Sequence, residues 1–307
     1  MKETFFMTPQ QIKIRKMLAD KRGILLAHYY TRPEIQEIAD VLGDSLVLAQ
    51  QAAQSDAAII VFAGVHFMAQ SAAMLSPQKT VLLPCLDAGC PLADMADAES
   101  VRKMRRTHPD AVFVTYINST AEVKAECDIC CTSSNALKLV QTLPPEQKIV
   151  LLPDGNLARH VASVTGKKII PWEGCCPIHQ ALTAEDVKAR KSDYPHALFA
   201  AHPECRPEVL ALADFVGSTS AILQFARKTN AAEIIIGTEE GILFELTKNN
   251  PDKTFISASP ALFCADMKKI TLDAIEQSLE TLQPAITVSG NIRSAAKKAL
   301  DRMLALS

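Results

Sequence analysis

The chain has 307 residues, 48% hydrophobic and 21% charged, and its 32 basic against 34 acidic side chains leave a net charge of −2. That is the composition of a soluble globular protein, not a disordered one, and the length suggests two or three domains. A pI near 6.4 argues against a broad nucleic-acid footprint.

Residues 1–18 hold no basic-then-apolar block, so no secretion signal is expected. The apolar run 57–65, closed by Asp56 and His66, is too short to span a bilayer. A cytoplasmic location with no membrane partner follows as an expectation. Nine cysteines, an odd number, do not suggest a disulfide framework in that setting. Packing, redox chemistry and metal ligation remain. Neither G-x-G-x-x-G nor G-x-x-x-x-G-K occurs, which excludes the two usual nucleotide loops. There is no H-E-x-x-H, and no close Cys/His zinc-finger spacing is read.

Apolar, β-rich runs alternate with helix-like segments along the chain. They fall at 23–30, 57–64, 80–84, 111–118, 148–155, 167–172, 197–204, 232–239 and 253–259. Continuous apolar strands separated by helices predict parallel sheets covered on both faces. Residues 270–306 read as two helices broken near Pro284, the second with a solvated basic face.

The chain repeats internally. ADVLGDSLVLAQ (39–50), CDICCTSSNALK (127–138) and ADFVGSTSAILQ (213–224) align at offsets of 88 and 86. Asp40, Asp128 and Asp214 share a column, as do Ser45, Ser133 and Thr219. The same offsets align His28, Tyr116 and His202, then Tyr30, Asn118 and Glu204. Cys90, Cys176 and Cys264 recur at 86 and 88. The expected fold class is α/β, with three repeats of about 86 residues built on parallel sheets; arranged around an axis, they would turn the histidine, tyrosine, hydroxyl and cysteine columns toward one cavity. The boundaries read as 1–97, 98–182 and 183–307, the last including the C-terminal helices.

In parallel α/β sheets, ligands bind beyond the carboxyl ends of strands. The His/Tyr/His and Tyr/Asn/Glu columns follow the first strand of each repeat. The Ser/Ser/Thr column ends the second strand and enters a helix; there a hydroxyl either caps the helix or helps hold an anion. The cysteine column follows the last strand. Repeated architecture alone would align such positions, but His, Tyr, Asn and Glu are poor choices for simple packing. Isolated histidines 66, 108 and 160 read as surface or core residues. Cys127 and Cys130 form a C-x-x-C yet align with small or apolar residues, which favours packing; Cys131 aligns with glycines. Three recurring thiolates suit either an open zinc site or an iron–sulfur cluster, and spacing does not separate the two.

The segments AHYYTRPEIQEIADVLGDSL, AGCPLADM, TYINSTAEVKA, TSSNA, CPIHQ, HPEC, STSAI and FCADMKKITL closely resemble, in order, those of quinolinate synthases, from about residue 24 to the C-terminus. The resemblance implies three homologous three-layer αβα domains with parallel sheets in pseudo-threefold arrangement around a central cavity, and a 4Fe-4S cluster there, held by Cys90, Cys176 and Cys264. It implies condensation of iminoaspartate (iminosuccinate) with dihydroxyacetone phosphate to quinolinate, a step of NAD biosynthesis, and functional coupling to L-aspartate oxidase. Implied substrate-binding residues are His28, Ser45, Tyr116, Asn118, Ser133, His202, Glu204 and Thr219, with Tyr30 a further active-site tyrosine. Glu204 is the candidate general acid/base, and Tyr30, Tyr116, His28 and His202 complete the catalytic set. Two departures stand out: Tyr29 replaces a frequent family asparagine, and FCADMKKI carries one cysteine where some relatives carry three. Within Cys175-Cys176, Cys176 keeps the spacing to HQ and to the other repeats. A thiolate–zinc hydrolase and a non-enzymatic iron–sulfur sensor are the alternatives.

Overall fold

In the computed structural model, which describes residues 7–307, all nine apolar runs form strands. The first six residues of the 1–97 range lie outside the described residues. Three short second strands join the nine, giving twelve in all: β1 Gly23–His28, β2 Val41–Gly43, β3 Ile59–Ala63 and β4 Thr80–Leu82; β5 Val112–Tyr116, β6 Ile129–Cys131, β7 Ile149–Leu152 and β8 Ile169–Pro171; β9 Leu198–Ala201, β10 Phe215–Val216, β11 Glu233–Gly237 and β12 Thr254–Ser257. They make three four-stranded parallel sheets of identical order, β2-β1-β3-β4, β6-β5-β7-β8 and β10-β9-β11-β12.

The central strands show why. All five residues of β3 and all four of β7 are buried. A strand that is apolar on both faces is stable only when helices cover both. One continuous apolar cluster joins the sheets through Leu26, Val114 and Ile236. Parallel pairing carries every carboxyl end in a sheet to the same edge. His28 therefore stands opposite Gly43, and Tyr116 opposite Cys131.

The aspartate column is a structural staple. Asp40, Asp128 and Asp214 accept the backbone N–H of Leu25, Phe113 and Phe199 at 2.8, 2.7 and 2.8 Å. Their own N–H groups return a bond to the same three residues at 2.9 Å. Arg15, Arg105 and Lys191 pair with the carboxylates. The three aspartates thus lock the second strand of each sheet onto the first.

Two helices, Leu272–Thr281 and Gly290–Ala305, follow the third sheet, with Pro284 between them as the sequence indicated. They do not pack on that sheet. The first lies on helix Pro9–Asp20 and β3; the second lies on helix Ala121–Ala125, β6 and helix His66–Leu75. No helix among the described residues is long and apolar enough to cross a membrane.

Candidate active site

One cavity of about 200 Å³ lies where the carboxyl ends of the three sheets meet, and its wall holds every aligned candidate. These are His28, Tyr30 and Ser45 from the first repeat, Tyr116, Asn118 and Ser133 from the second, and His202, Glu204 and Thr219 from the third. Cys90, Cys176 and Cys264 line the same space. Cys175 does not; its backbone N–H instead reaches the Met95 sulfur at 3.3 Å. Cys127, Cys130, Cys131 and Cys205 are buried in packing, and Cys85 is half-buried off the cavity wall.

The hydroxyl column does not cap helices, which corrects that alternative. In the first and third repeats the caps are the residues one step earlier, and in the second the helix begins at Ala136, beyond Ser133. Asp44 accepts from the N–H groups of Leu46 and Val47, both at 3.1 Å, and Ser218 accepts from Ala221 at 3.3 Å. Ser45 and Thr219 are thereby released from capping and face the cavity at the first helical position. The capping side chains also join the repeats: Ser134 Oγ donates to Asp44 Oδ2 at 2.6 Å and lies 2.8 Å from Ser218 Oγ.

A polar path runs from the first repeat through the third to the second. Tyr30 Oη lies 2.9 Å from Thr219 Oγ1 and 2.6 Å from Thr238 Oγ1. Thr238 Oγ1 lies 2.8 Å from His179 Nε2. His179 Nδ1 sits 2.8 Å from Glu204 Oε2, although the pair is poorly aligned for a hydrogen bond. His202 Nδ1 is 3.3 Å from the same oxygen, and its Nε2 is 3.2 Å from Ser133 Oγ. His179 and His202 stack at 4.7 Å.

Burial and neighbours set the protonation states. Burial alone would raise the Glu204 carboxyl, but the imidazoles of His202 and His179 outweigh it and hold Glu204 below the usual carboxylate range. The net direction is set by the two rings. Asp154 goes the other way, pushed well up by burial and by the nearby charge of Glu204. Burial lowers His28 to about 4, so it is neutral near pH 7. Its Nδ1 accepts the Tyr30 N–H at 3.1 Å, so its proton sits on Nε2 as a donor on the cavity wall. Burial raises Tyr30 and Tyr116 well above the usual phenol value, which keeps both hydroxyls protonated. Cys90 is pushed up to about 12 by burial, a thiol that becomes a thiolate only when something positive stabilises it.

His179 was missed by sequence reasoning. It stands outside the aligned columns, yet Cys176, His179 and Glu204 offer ligand atoms all within 4.8 Å of one another. A signal existed: Cys176-x-x-His179 puts both residues at one helix end, Pro177–Ala181, and His202-x-Glu204 is a tight pair. Thr238, Asp154 and Glu239 were missed as well, since only folding brings their loops to the cavity.

Three α/β units sharing one cavity lined by acid/base groups and thiols define an enzyme with a composite active site. The chain belongs to the quinolinate synthetase A protein family, whose model matches residues 12–305. It is 53% identical over 294 residues to quinolinate synthase of Geotalea uraniireducens (strain Rf4), covering 96% of each chain. It is 55% identical over 295 residues to quinolinate synthase of Pelobacter propionicus, covering 96% of this chain and 97% of the relative. With quinolinate synthase of Methanosarcina barkeri it shares 51% identity over 294 residues, 96% of each chain.

Proposed function

We propose that this chain is a quinolinate synthase of NAD biosynthesis that condenses iminoaspartate with dihydroxyacetone phosphate, giving quinolinate, phosphate and two waters. The observation that carries the reading is the convergence on one cavity of the twelve residues in four repeat columns, those of the strand ends, the hydroxyls and the cysteines. Uncharged donors fit its substrates, which carry two carboxylates and a phosphate. Neutral His28, the two protonated tyrosines and the hydroxyls of Ser45, Ser133 and Thr219 hold anions without a dense basic patch.

The donor set fits a 4Fe-4S cluster on Cys90, Cys176 and Cys264. The buried Glu204 Oε1 and Asn118 Oδ1 have no hydrogen-bond partner in this cavity, as expected of atoms awaiting a bound group. The three thiols are not grouped within the 4.8 Å that gathers Cys176, His179 and Glu204. A single zinc ion holds its sulfurs roughly 3.8 Å apart, given Zn–S bonds of about 2.3 Å and tetrahedral geometry. A multinuclear group suits wider spacing. When bound, the cluster would supply a Lewis-acidic iron to polarise a substrate oxygen.

The chain's own residues orient the substrates and move protons. Glu204, ionised between two imidazoles, orients His202 and His179 and stabilises either ring as it gains a proton. His202 Nε2 passes a proton toward Ser133, and His179 Nε2 passes one through Thr238 to Tyr30. The apolar parts of Phe67, Leu92 and Met267 on the wall exclude water during the dehydrations.

The test is anaerobic purification, iron and sulfide analysis, an optical spectrum, and assay of quinolinate formation from the two substrates. Cys90→Ala, Cys176→Ala and Cys264→Ala are expected to lose cluster and activity, and Cys127→Ala and Cys130→Ala to keep both. Full activity in an iron-free sample would overturn the cofactor assignment. A second reading, a zinc hydrolase, draws support from the tight Cys176, His179 and Glu204 group. It predicts a colourless protein with one zinc per chain.

A further inference from the structure

The three cysteine loops dock onto the rest of the fold by one shared backbone bond. The N–H of His66, Gly155 and Glu240, three residues beyond β3, β7 and β11, donates to the carbonyl of Ala88, Gly174 and Leu262 at 2.8, 2.7 and 2.9 Å. Each acceptor lies two residues before a cavity cysteine: Cys90, Cys176 and Cys264. The residue just before each donor is Val65, Asp154 and Glu239. In the second and third repeats that position is therefore a buried carboxylate, 0% and 1% exposed. Both carboxylates point at a cysteine. Asp154 Oδ2 accepts the Cys176 N–H and Glu239 Oε1 accepts the Cys264 N–H, each at 3.1 Å.

The remaining carboxylate oxygens are tied down too. Asp154 Oδ1 accepts the Leu157 N–H at 2.7 Å and so caps helix Gly155–Thr165. A side chain at Gly174 would collide with the Pro153 carbonyl, so this loop contact has no slack. Glu239 Oε2 accepts the Gly241 N–H at 2.7 Å, and Oε1 also pairs with Lys268 Nζ at 2.8 Å. Lys268 Nζ in turn donates to the Tyr30 carbonyl at 2.6 Å, fastening the Cys264 loop to the first repeat.

We propose that Asp154 and Glu239 are positioning residues that clamp the Cys176 and Cys264 loops, through the cysteine backbone N–H, into the pose in which their sulfurs hold the metal group. The inference deepens, and rests on, the reading of these cysteines as ligands. A buried carboxyl group is costly unless each oxygen is bonded, and a fixed oxygen accepting the cysteine N–H holds the backbone that aims the sulfur. The first repeat, with Val65, has no such carboxylate. Residues supporting metal ligands typically change metal affinity by about 10–100-fold when removed.

The experiment measures iron release to a chelator, anaerobically, from reconstituted protein, together with melting temperature and the cluster's visible absorption. Folded Asp154→Ala and Glu239→Ala proteins are expected to lose iron about 10–100-fold faster than the unmodified protein. Asp154→Asn and Glu239→Gln, which keep an oxygen acceptor, are expected to recover most of the retention. If either Ala variant does not fold, Asp154→Glu or Glu239→Asp decides, because each keeps the carboxyl group but misplaces the acceptor. Faster iron loss at a temperature well below each variant's melting transition supports the clamp. Iron loss at the unmodified rate from folded Ala variants, or from these length-swapped ones, overturns it while leaving the cofactor assignment intact. An unmodified protein that takes up no cluster after reconstitution overturns the cofactor assignment itself, and the clamp with it.

Discussion

Glu204 shows how one side chain's neighbours decide its chemistry. A buried carboxyl by itself would be held neutral; two imidazoles within 3.3 Å hold it ionised instead. Glu204→Gln keeps the shape but cannot stabilise a protonated imidazole. Turnover is expected to fall about 10²–10⁴-fold while cluster content and melting temperature stay close to those of the unmodified protein. Near-normal turnover with a lowered melting temperature would assign Glu204 to packing. His28 carries a pH prediction. Its folded pKa is near 4, below the ordinary 6.5, so between those values the unfolded chain binds a proton that the native state does not. Stability is therefore lost as pH falls from 6.5 toward 4, by about 2–3 kcal/mol from this residue at pH 4.5. Urea midpoints measured from pH 7.5 to 4.5 should fall less steeply for His28→Gln; parallel curves would exclude the contribution.

At the scale of elements, β2, β6 and β10 have only three, three and two residues, too few to hold by ladder bonds alone. The aspartate staple supplies what length does not. Asp128 accepts the Phe113 N–H and pairs with Arg105, so Asp128→Ala leaves a strand donor without its partner. A loss of about 1–3 kcal/mol is expected in urea unfolding. Activity per folded molecule should not change, because the staple lies away from the cavity wall. A drop in specific activity at full folding would show that the staple also shapes the site.

At the scale of the whole molecule, the chain closes on itself across its repeats. Helix Gly290–Ala305 is last in sequence, yet it buries Ala296, Ala299, Leu300 and Met303 against elements of the first two sheets. Removing the Leu300 side chain would leave a cavity at that junction and is expected to cost about 2–5 kcal/mol in urea unfolding. A change under about 0.5 kcal/mol would mean that the helix is only peripherally attached. The same closure explains the site. Each repeat contributes strand-end residues, a hydroxyl and a cysteine, so the cavity wall draws on all three.

Much of this was legible in the sequence because repetition is a one-dimensional signal. Aligned columns mark equivalent positions, strand ends mark the binding edge of a parallel sheet, and together they identified twelve residues that line one cavity. Spacing to HQ and to the other repeats singled out Cys176 within the doublet, and Cys176, not Cys175, lines the cavity. Tertiary structure alone decided the rest. His179 and Thr238 lie outside the columns and matter only where loops from different strands meet. The clamp position, Val65, Asp154 and Glu239, is invisible as a column because its residue types differ and loop lengths shift its spacing. The ionised state of Glu204 depends on two rings 2 and 25 residues away, brought within 3.3 Å by folding. Sequence patterns record which positions are equivalent; electrostatics and hydrogen bonding depend on distances that only the packed chain defines.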